Sequence, residues 1–152
     1  LGDLAVVIFF GIIPVTFTCF LQTGNIEGMT IIIPTSVAVG LLAANVLIVN
    51  NYRDMEDDAA VGKRTTVVIF GRRFMGLAYL LSGIAGMALM IPVWASLTSW
   101  ALIVPLIYII LHIKVWLKLR EVTGAGLNPL LGRTAVNLLV FSVLFLCMSL
   151  SS

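Results

Sequence analysis

Residues 50–66 read NNYRDMEDDAAVGKRTT. Four acids, Asp54, Glu56, Asp57 and Asp58, fall within five positions, and Lys63 and Arg64 follow Gly62 directly. Asn50, Asp54 and Asp58 are spaced four apart. On a helix each step of four turns by only roughly 40°, so the three side chains share a face, with neighbouring Cβ atoms about 6 Å apart. Glu56 points elsewhere, and Asp57 stands beside Asp54 at the three-residue spacing. Carboxylates this dense repel one another unless a cation neutralises them. Hard oxygen donors of this kind suit Mg²⁺, which takes one or two carboxylates and completes its shell with phosphate oxygens and water. A bend at Gly62 would return Lys63 and Arg64 to the same site, where ammonium and guanidinium hold phosphate oxygens. Acids for a metal beside cations for phosphate is the arrangement expected for a diphosphate leaving group. The same residues, taken by spacing alone, also suit an ordinary solvated loop.

The elements that must position them are greasy. Of 152 residues, 61% are hydrophobic and 11% charged, with mean hydropathy +1.14. Soluble chains carry about a quarter charged residues, so this one cannot cover itself for water. Five apolar segments, residues 4–21, 29–49, 74–93, 97–117 and 130–150, approach the roughly 20 residues that cross a bilayer core. A shorter run, 66–70, precedes the third. Lipid offers no hydrogen-bond partners, so the spans should be helices, and the alternation of a membrane barrel is absent. The fold class is all-α, a polytopic transmembrane bundle, with residues 50–73 as its one sizeable polar loop. The opening Leu1-Gly2-Asp3 runs straight into a span, as a piece of a longer chain would.

All nine Lys and Arg lie in two connections. Arg53, Lys63, Arg64, Arg72 and Arg73 fall between spans two and three. Lys114, Lys118, Arg120 and Arg133 fall around the connection between spans four and five, where the lysines can snorkel. The alternate connections have no basic residue. The positive-inside rule makes the basic side, with the motif loop, cytoplasmic and leaves the C-terminus outside. Topology accounts for the net charge of +2 without any nucleic acid.

Other positions give weaker signals. Pro14 with Thr16 and Thr18 predicts a kink in span one. Ala38, Gly40, Ala43 and Ala44 in span two, and Gly83 and Gly86 in span three, predict close helix packing. Asn128 and Pro129 predict an N-cap and a first helical residue. Trp94 and Trp100 would sit at the outer interface. His112 reads as an interface residue, and Cys19 and Cys147 as packing residues. Asp3 lies at the level of the motif, and Asn45, a turn before it, either bonds between helices or lines the site. Tyr52 could stack on an aromatic substrate.

The string Asn50-Asn51-Tyr52-Arg53-Asp54, then Asp58, then Gly62-Lys63-Arg64-Thr65 and Gly71 resembles the second aspartate-rich motif of the UbiA-type intramembrane aromatic prenyltransferases. The form N-N-x-R-D-x-x-x-D-x-x-x-G-K-x-T, with LGDLAVVIFFG at the start and NPLLGRTAVNLL late in the chain, is most similar to the branch acting on 1,4-dihydroxy-2-naphthoate in menaquinone synthesis. The resemblance covers essentially the whole chain. It implies a nine-helix bundle of which these spans are helices five to nine, in the cell's inner (plasma) membrane. It also implies a first aspartate-rich motif in an N-terminal half, without which this chain would be inactive. Carried over, Asp54 and Asp58 would ligate Mg²⁺, Asn50 and Asn51 would support the metal–diphosphate assembly, and Arg53, Lys63 and more weakly Arg64 would hold diphosphate. A polyprenyl diphosphate would ionise, the naphthoate ring would capture the allylic cation, and diphosphate and carbon dioxide would leave. Three alternatives stand beside it: a relative acting on 4-hydroxybenzoate or another ring, a cation-binding transporter, and a purely structural membrane subunit whose loop acids could be neutralised without consequence. The transporter fits poorly, because spans one, three and five have no ionisable residue at mid-span.

Overall fold

The computed structural model of the chain describes residues 2–25, 27–97 and 99–151. Among them there are helices and turns and no strand. In chain order these are α1 (Gly2–Val7), a π-helical turn (Ile8–Ile12), α2 (Ile13–Thr23), α3 (Met29–Arg53), α4 (Met55–Ala60), α5 (Thr66–Leu89), α6 (Ile91–Ser96), α7 (Ile103–Leu119) and α8 (Asn128–Leu150). Grouped, they make five helices long and apolar enough to cross a membrane: Gly2–Thr23, Met29–Arg53, Thr66–Ser96, Trp100–Leu119 and Gly124–Leu150.

Side-chain contacts show which ends meet. The Thr66 hydroxyl donates to Asp3 Oδ2 at 2.6 Å, joining the start of α1 to the start of α5. The Tyr52 hydroxyl, near the end of α3, donates to the Arg72 carbonyl of α5. Arg53 Nη1, one residue on, reaches Asn128 Oδ1 at the start of α8, 3.3 Å away. Successive spans therefore run up and down, and the motif sits at the end where all these termini gather.

Close approach is built on missing side chains. Where the π-turn crosses α3, a Cβ on Gly11 would lie 2.5 Å from the Gly40 backbone, and one on Gly40 2.6 Å from the Val7 carbonyl. The small residues of span two thus let two backbones touch. The expected distortion near Pro14 is present as the π-turn just before it. Proline has no N–H to give the preceding turn, and the Thr16 hydroxyl donates to the Ile12 carbonyl at 2.5 Å.

A polar network ties α3, α5, α7 and α8 through their middles. The Ser82 hydroxyl donates to Asn45 Oδ1 at 2.6 Å, and the Tyr79 and Thr134 hydroxyls lie 3.2 Å apart. His112 Nε2 is 2.9 Å from the Tyr79 carbonyl, and Asn137 Nδ2 donates to the Tyr108 carbonyl at 3.3 Å. The His112 ring is stacked between Tyr79, at 4.3 Å and 14°, and Tyr108, at 5.4 Å and 18°. Gly83 leaves the room that this imidazole fills.

Several expectations are corrected. His112 is not at the interface: it is wholly buried, with Nε2 against the Tyr79 carbonyl of α5 and Nδ1 3.5 Å from the Tyr108 hydroxyl of its own helix. Trp94 is also buried, edge-on to Phe141 and Phe145 at 6.2 and 5.5 Å, with its Nε1 donating to the Met87 carbonyl at 3.3 Å. Trp100 is exposed as expected. Asn45 bonds between helices. Asn128 makes no cap hydrogen bond; α8 starts at Asn128 itself, whose amide oxygen is taken by Arg53. The run 66–70 belongs to α5, which breaks at Gly71 (φ 78, ψ 163) and resumes. Residues 50–73 are therefore mostly helical and only locally a loop. Cys147 is exposed and Cys19 half-buried.

Replacing Gly40 by Leu should push α3 off the π-turn, at about 1–3 kcal/mol, the usual cost of overpacking. Gly132, whose Cβ position meets nothing within 4 Å, should accept Ala without loss. Thermal unfolding of both variants in detergent checks the contrast; equal stabilities would refute the close-packed crossing.

Candidate diphosphate and metal site

The site is built where α3 ends. Asp54 leaves the helical region (φ −93, ψ 5), yet its N–H still bonds the Asn50 carbonyl at 3.1 Å, and the Asp58 N–H bonds the Asp54 carbonyl at 2.8 Å. The four-residue spacing is thus kept across the junction into α4. At the far end Gly62 adopts a left-handed conformation (φ 73), open to glycine at no steric cost. The Lys63 N–H then bonds the Asp58 carbonyl at 2.8 Å, and Lys63 Nζ comes back to 2.9 Å from Asp58 Oδ1. The return of the lysine predicted from the glycine is what the backbone does.

Arg53 organises the other half. Its Nε lies 2.6 Å from Asp54 Oδ1 and its Nη2 2.8 Å from Asp54 Oδ2, a two-pronged fork on one carboxylate. The same Nη2 donates to Asn50 Oδ1 at 2.9 Å, and Asn50 Nδ2 donates to Asp54 Oδ2 at 3.2 Å. The fork holds the Asp54 carboxyl below the usual carboxylate range, outweighing desolvation, with the Asn50 amide adding a smaller push in the same direction. Asp54 is therefore an anion at neutral pH without needing a metal.

Asp58 differs. It is buried, its Oδ1 faces Lys63, and its Oδ2 has no hydrogen-bond partner among the described residues. A buried carboxylate oxygen left unmatched costs free energy. No cluster of three or more His, Cys, Asp or Glu able to hold a metal by itself occurs among the described residues. The donor set instead fits a Mg²⁺ ion that takes one or two carboxylates here and draws its other ligands from phosphate and water.

Among the remaining candidates, Asn51 is buried beside Tyr52 in the helix, and Arg64 is exposed. Glu56 and Asp57 are exposed as well; Glu56 Oε1 lies 3.5 Å from Arg72 Nη2. Asn128, read in the sequence only as a helix cap, and Thr66 are the residues that sequence reasoning did not bring to the site. Asn128 steadies Arg53 from a helix 75 positions away, and only the late NPLLGR string hinted that this segment mattered. Thr66 holds Asp3, whose other oxygen, Oδ1, is buried without a partner among the described residues.

Comparison with known proteins bears on the family. The model of the UbiA prenyltransferase family matches residues 1–126. Over 102 residues the chain is 40% identical to a 1,4-dihydroxy-2-naphthoate octaprenyltransferase of Haemophilus influenzae, covering 66% of this chain and 32% of that protein. The enzyme of the same name from Escherichia coli is 32% identical over 149 residues, 95% of this chain and 47% of its own length. That from Mycobacterium tuberculosis is 31% identical over 144 residues, 93% and 48% respectively. The chain spans about a third to a half of the length of these relatives, and no solved structure matches it. With the family match running from the first helix, through the motif, to the turn that precedes α8, this multi-pass membrane chain belongs to the UbiA prenyltransferase family.

Proposed function

We propose that the protein to which these residues belong transfers a polyprenyl group from a polyprenyl diphosphate to 1,4-dihydroxy-2-naphthoate, releasing diphosphate and carbon dioxide and giving demethylmenaquinone. The observation that carries this reading is the pairing at the end of α3: Asp54 held ionised by Arg53, and Asp58 with one oxygen on Lys63 and one without a partner among the described residues. Relatives bearing the naphthoate prenyltransferase name support the acceptor. Asp54 and Asp58 would hold Mg²⁺; when bound, it neutralises charge on the diphosphate as the allylic bond breaks. Lys63, 60% exposed at its side chain, can swing from Asp58 to a phosphate oxygen. Arg53, fixed by Asn50 and Asn128, presents guanidinium edges at one place, and such preorganisation is where catalytic stabilisation comes from. Asn50 lines an apolar hollow of about 460 Å³ with Val6, Leu47, Leu131 and Leu138, a water-poor surface suited to a carbocation and a prenyl tail. The first aspartate-rich motif and the rest of the channel would come from the additional half that the relatives possess, so residues 1–152 alone would not turn over. The basic end would face the cytoplasm across the inner membrane.

In a full-length protein, Asp54→Asn and Asp58→Asn should each lower Mg²⁺-dependent formation of the prenylated product by at least about a hundredfold. Full activity in either would remove that residue from the site, and product from 4-hydroxybenzoate instead of the naphthoate would overturn the acceptor.

The depressed pKa of Asp54 has a definite sign. A carboxyl lowered on folding contributes stability that is present above its unfolded value, about 3.9, and lost as pH falls through the folded one. The stability gap between wild type and Arg53→Gln should hold from pH 7 to about 5 and close below about 4. A gap that closes between pH 7 and 6 would contradict the Arg53 fork as its source.

With the native cysteines replaced, a cysteine at Lys118 should react with an impermeant maleimide only from the cytoplasmic side, and one at Ser96 only from outside. The reverse pattern would invert the topology.

A further inference from the structure

On the other side of α3 from the hollow that Asn50 lines, a second cavity of about 400 Å³ opens between the start of α5 and the end of α7. Tyr52, Arg72, Arg73, Leu77, Trp116 and Arg120 are among its walls. Asn50 and Tyr52 are two residues apart, so they point roughly 200° apart around the helix. The second cavity is therefore not part of the diphosphate site.

Its charge is poorly neutralised. The Arg72 Nε donates to Met55 Sδ at 3.5 Å, and its one carboxylate partner among the described residues is Glu56, 3.5 Å away with an 85% exposed side chain. Arg73 has no hydrogen bond or ion pair among the described residues, and the Arg120 guanidinium sits 5.0 Å over the Trp116 ring with no carboxylate partner. These guanidiniums meet apolar surface in one place: Leu77 is 50% exposed, and Trp116 is half-buried beside it. An exposed leucine and an indole below a ring of arginines mark the boundary between hydrocarbon and the polar layer, the depth of a lipid phosphate.

We propose that this cavity binds the phosphate of an anionic phospholipid, with Arg73 and Arg120 on its oxygens, Arg72 behind them, and the acyl chains running along Leu77 and Trp116. The volume lies within the roughly 300–1,000 Å³ of ligand pockets. Guanidinium forks match phosphate geometry, and basic pockets between membrane helices hold lipid head groups. The inference is independent of the prenyl-transfer reading, since neither Arg73 nor Arg120 touches the Arg53–Asp54 or Lys63–Asp58 pairs.

The test uses the purified full-length protein in zwitterionic detergent, with thermal unfolding followed as phosphatidylglycerol, phosphatidylcholine, inorganic phosphate or 1,4-dihydroxy-2-naphthoate is added. Phosphatidylglycerol should raise the unfolding temperature saturably, and phosphatidylcholine should not. Each cation near an anionic lipid is worth about fivefold in affinity, so Arg73→Gln with Arg120→Gln should weaken the response about thirtyfold. Arg73→Lys with Arg120→Lys should keep much of it, and Lys118→Gln, outside the cavity, all of it. If the double glutamine variant does not fold, the two single variants carry the comparison. An equal loss in Lys118→Gln would reduce the effect to general surface charge and overturn the site. The same saturable shift from inorganic phosphate, lost in the glutamine variant, would replace the lipid by a free anion. A shift from the naphthoate lost in that variant would make the cavity an acceptor site, and no phosphatidylglycerol response in wild type would end the proposal.

Discussion

Hydrocarbon gives a polar side chain nothing to bond to, so the amides, hydroxyls and imidazole inside this bundle need partners on their own or a neighbouring helix. That need is met for most of the polar atoms at one level, where Ser82–Asn45, Tyr79–Thr134, His112 on the Tyr79 carbonyl and Asn137 on the Tyr108 carbonyl link α3, α5, α7 and α8, and only Asn45 Nδ2 and Asn137 Oδ1 there lack a partner among the described residues. Leucines and valines slide past one another with little change in energy. A hydrogen bond of 2.6–3.3 Å does not, so these contacts fix helix rotation and register where apolar packing alone would leave both loose. With rotation fixed at mid-bundle, the helix ends follow. Tyr52 must face α5, Arg53 must face α8, and Asp3 must meet Thr66.

The acids at that end illustrate how a chain keeps anions close together before any ligand arrives. Asp54 and Asp58 each have a basic partner from their own segment, Arg53 one residue away and Lys63 five away. The two pairings are unequal. A bidentate fork steadied from Asn50 and Asn128 is rigid, whereas a single ammonium on a largely exposed stem is easily exchanged. The free oxygen of Asp58 lies next to the exchangeable partner. The Arg53–Asp54 contact is thus the fixed scaffold of this end, and the Lys63–Asp58 contact is the one open to exchange.

Much of this is written in the sequence, for identifiable reasons. Five spans follow from hydropathy because the bilayer sets helix length, and the gathering of basic residues at one end follows from where Lys and Arg fall. The shared face of Asn50, Asp54 and Asp58 follows from helical pitch, and the return of Lys63 from the one glycine that precedes it. What the sequence conceals is competition. Asn128 before proline has the chemistry of a helix cap, but a guanidinium 75 residues away uses its oxygen instead. Trp94 has the habit of an interface residue, but Phe141 and Phe145 offer it a packed site with a carbonyl for its N–H. His112 sits in an apolar stretch whose interior turns out to be polar, and no local pattern announces partners on other helices. The break at Gly71 is equally silent, since nothing in VVIFGRRF says that this glycine alone will leave the helical region.

The end of α3 shows why the motif needs its particular order of residues. Over one turn, Asn50 faces the apolar hollow and the carboxylates, Asn51 is buried, Tyr52 reaches across to α5, and Arg53 turns back to Asp54 and Asn128. Tyr52 can do so because Gly76 has no Cβ; one there would lie 2.6 Å from the tyrosine oxygen. The hydroxyl then takes the Arg72 carbonyl just after the Gly71 break, which locks the start of α5 against α3. Since α5 begins at the end of the Lys63 turn, that lock also limits where Lys63 can stand relative to Asp58. An aromatic residue pointing away from the carboxylates thereby sets their geometry, and it does so from the side where the basic cavity meets the lipid. Tyr52 and the first turns of α5 also wall that cavity, so the cavity and the carboxylates are joined through the position of one helix rather than through direct contact.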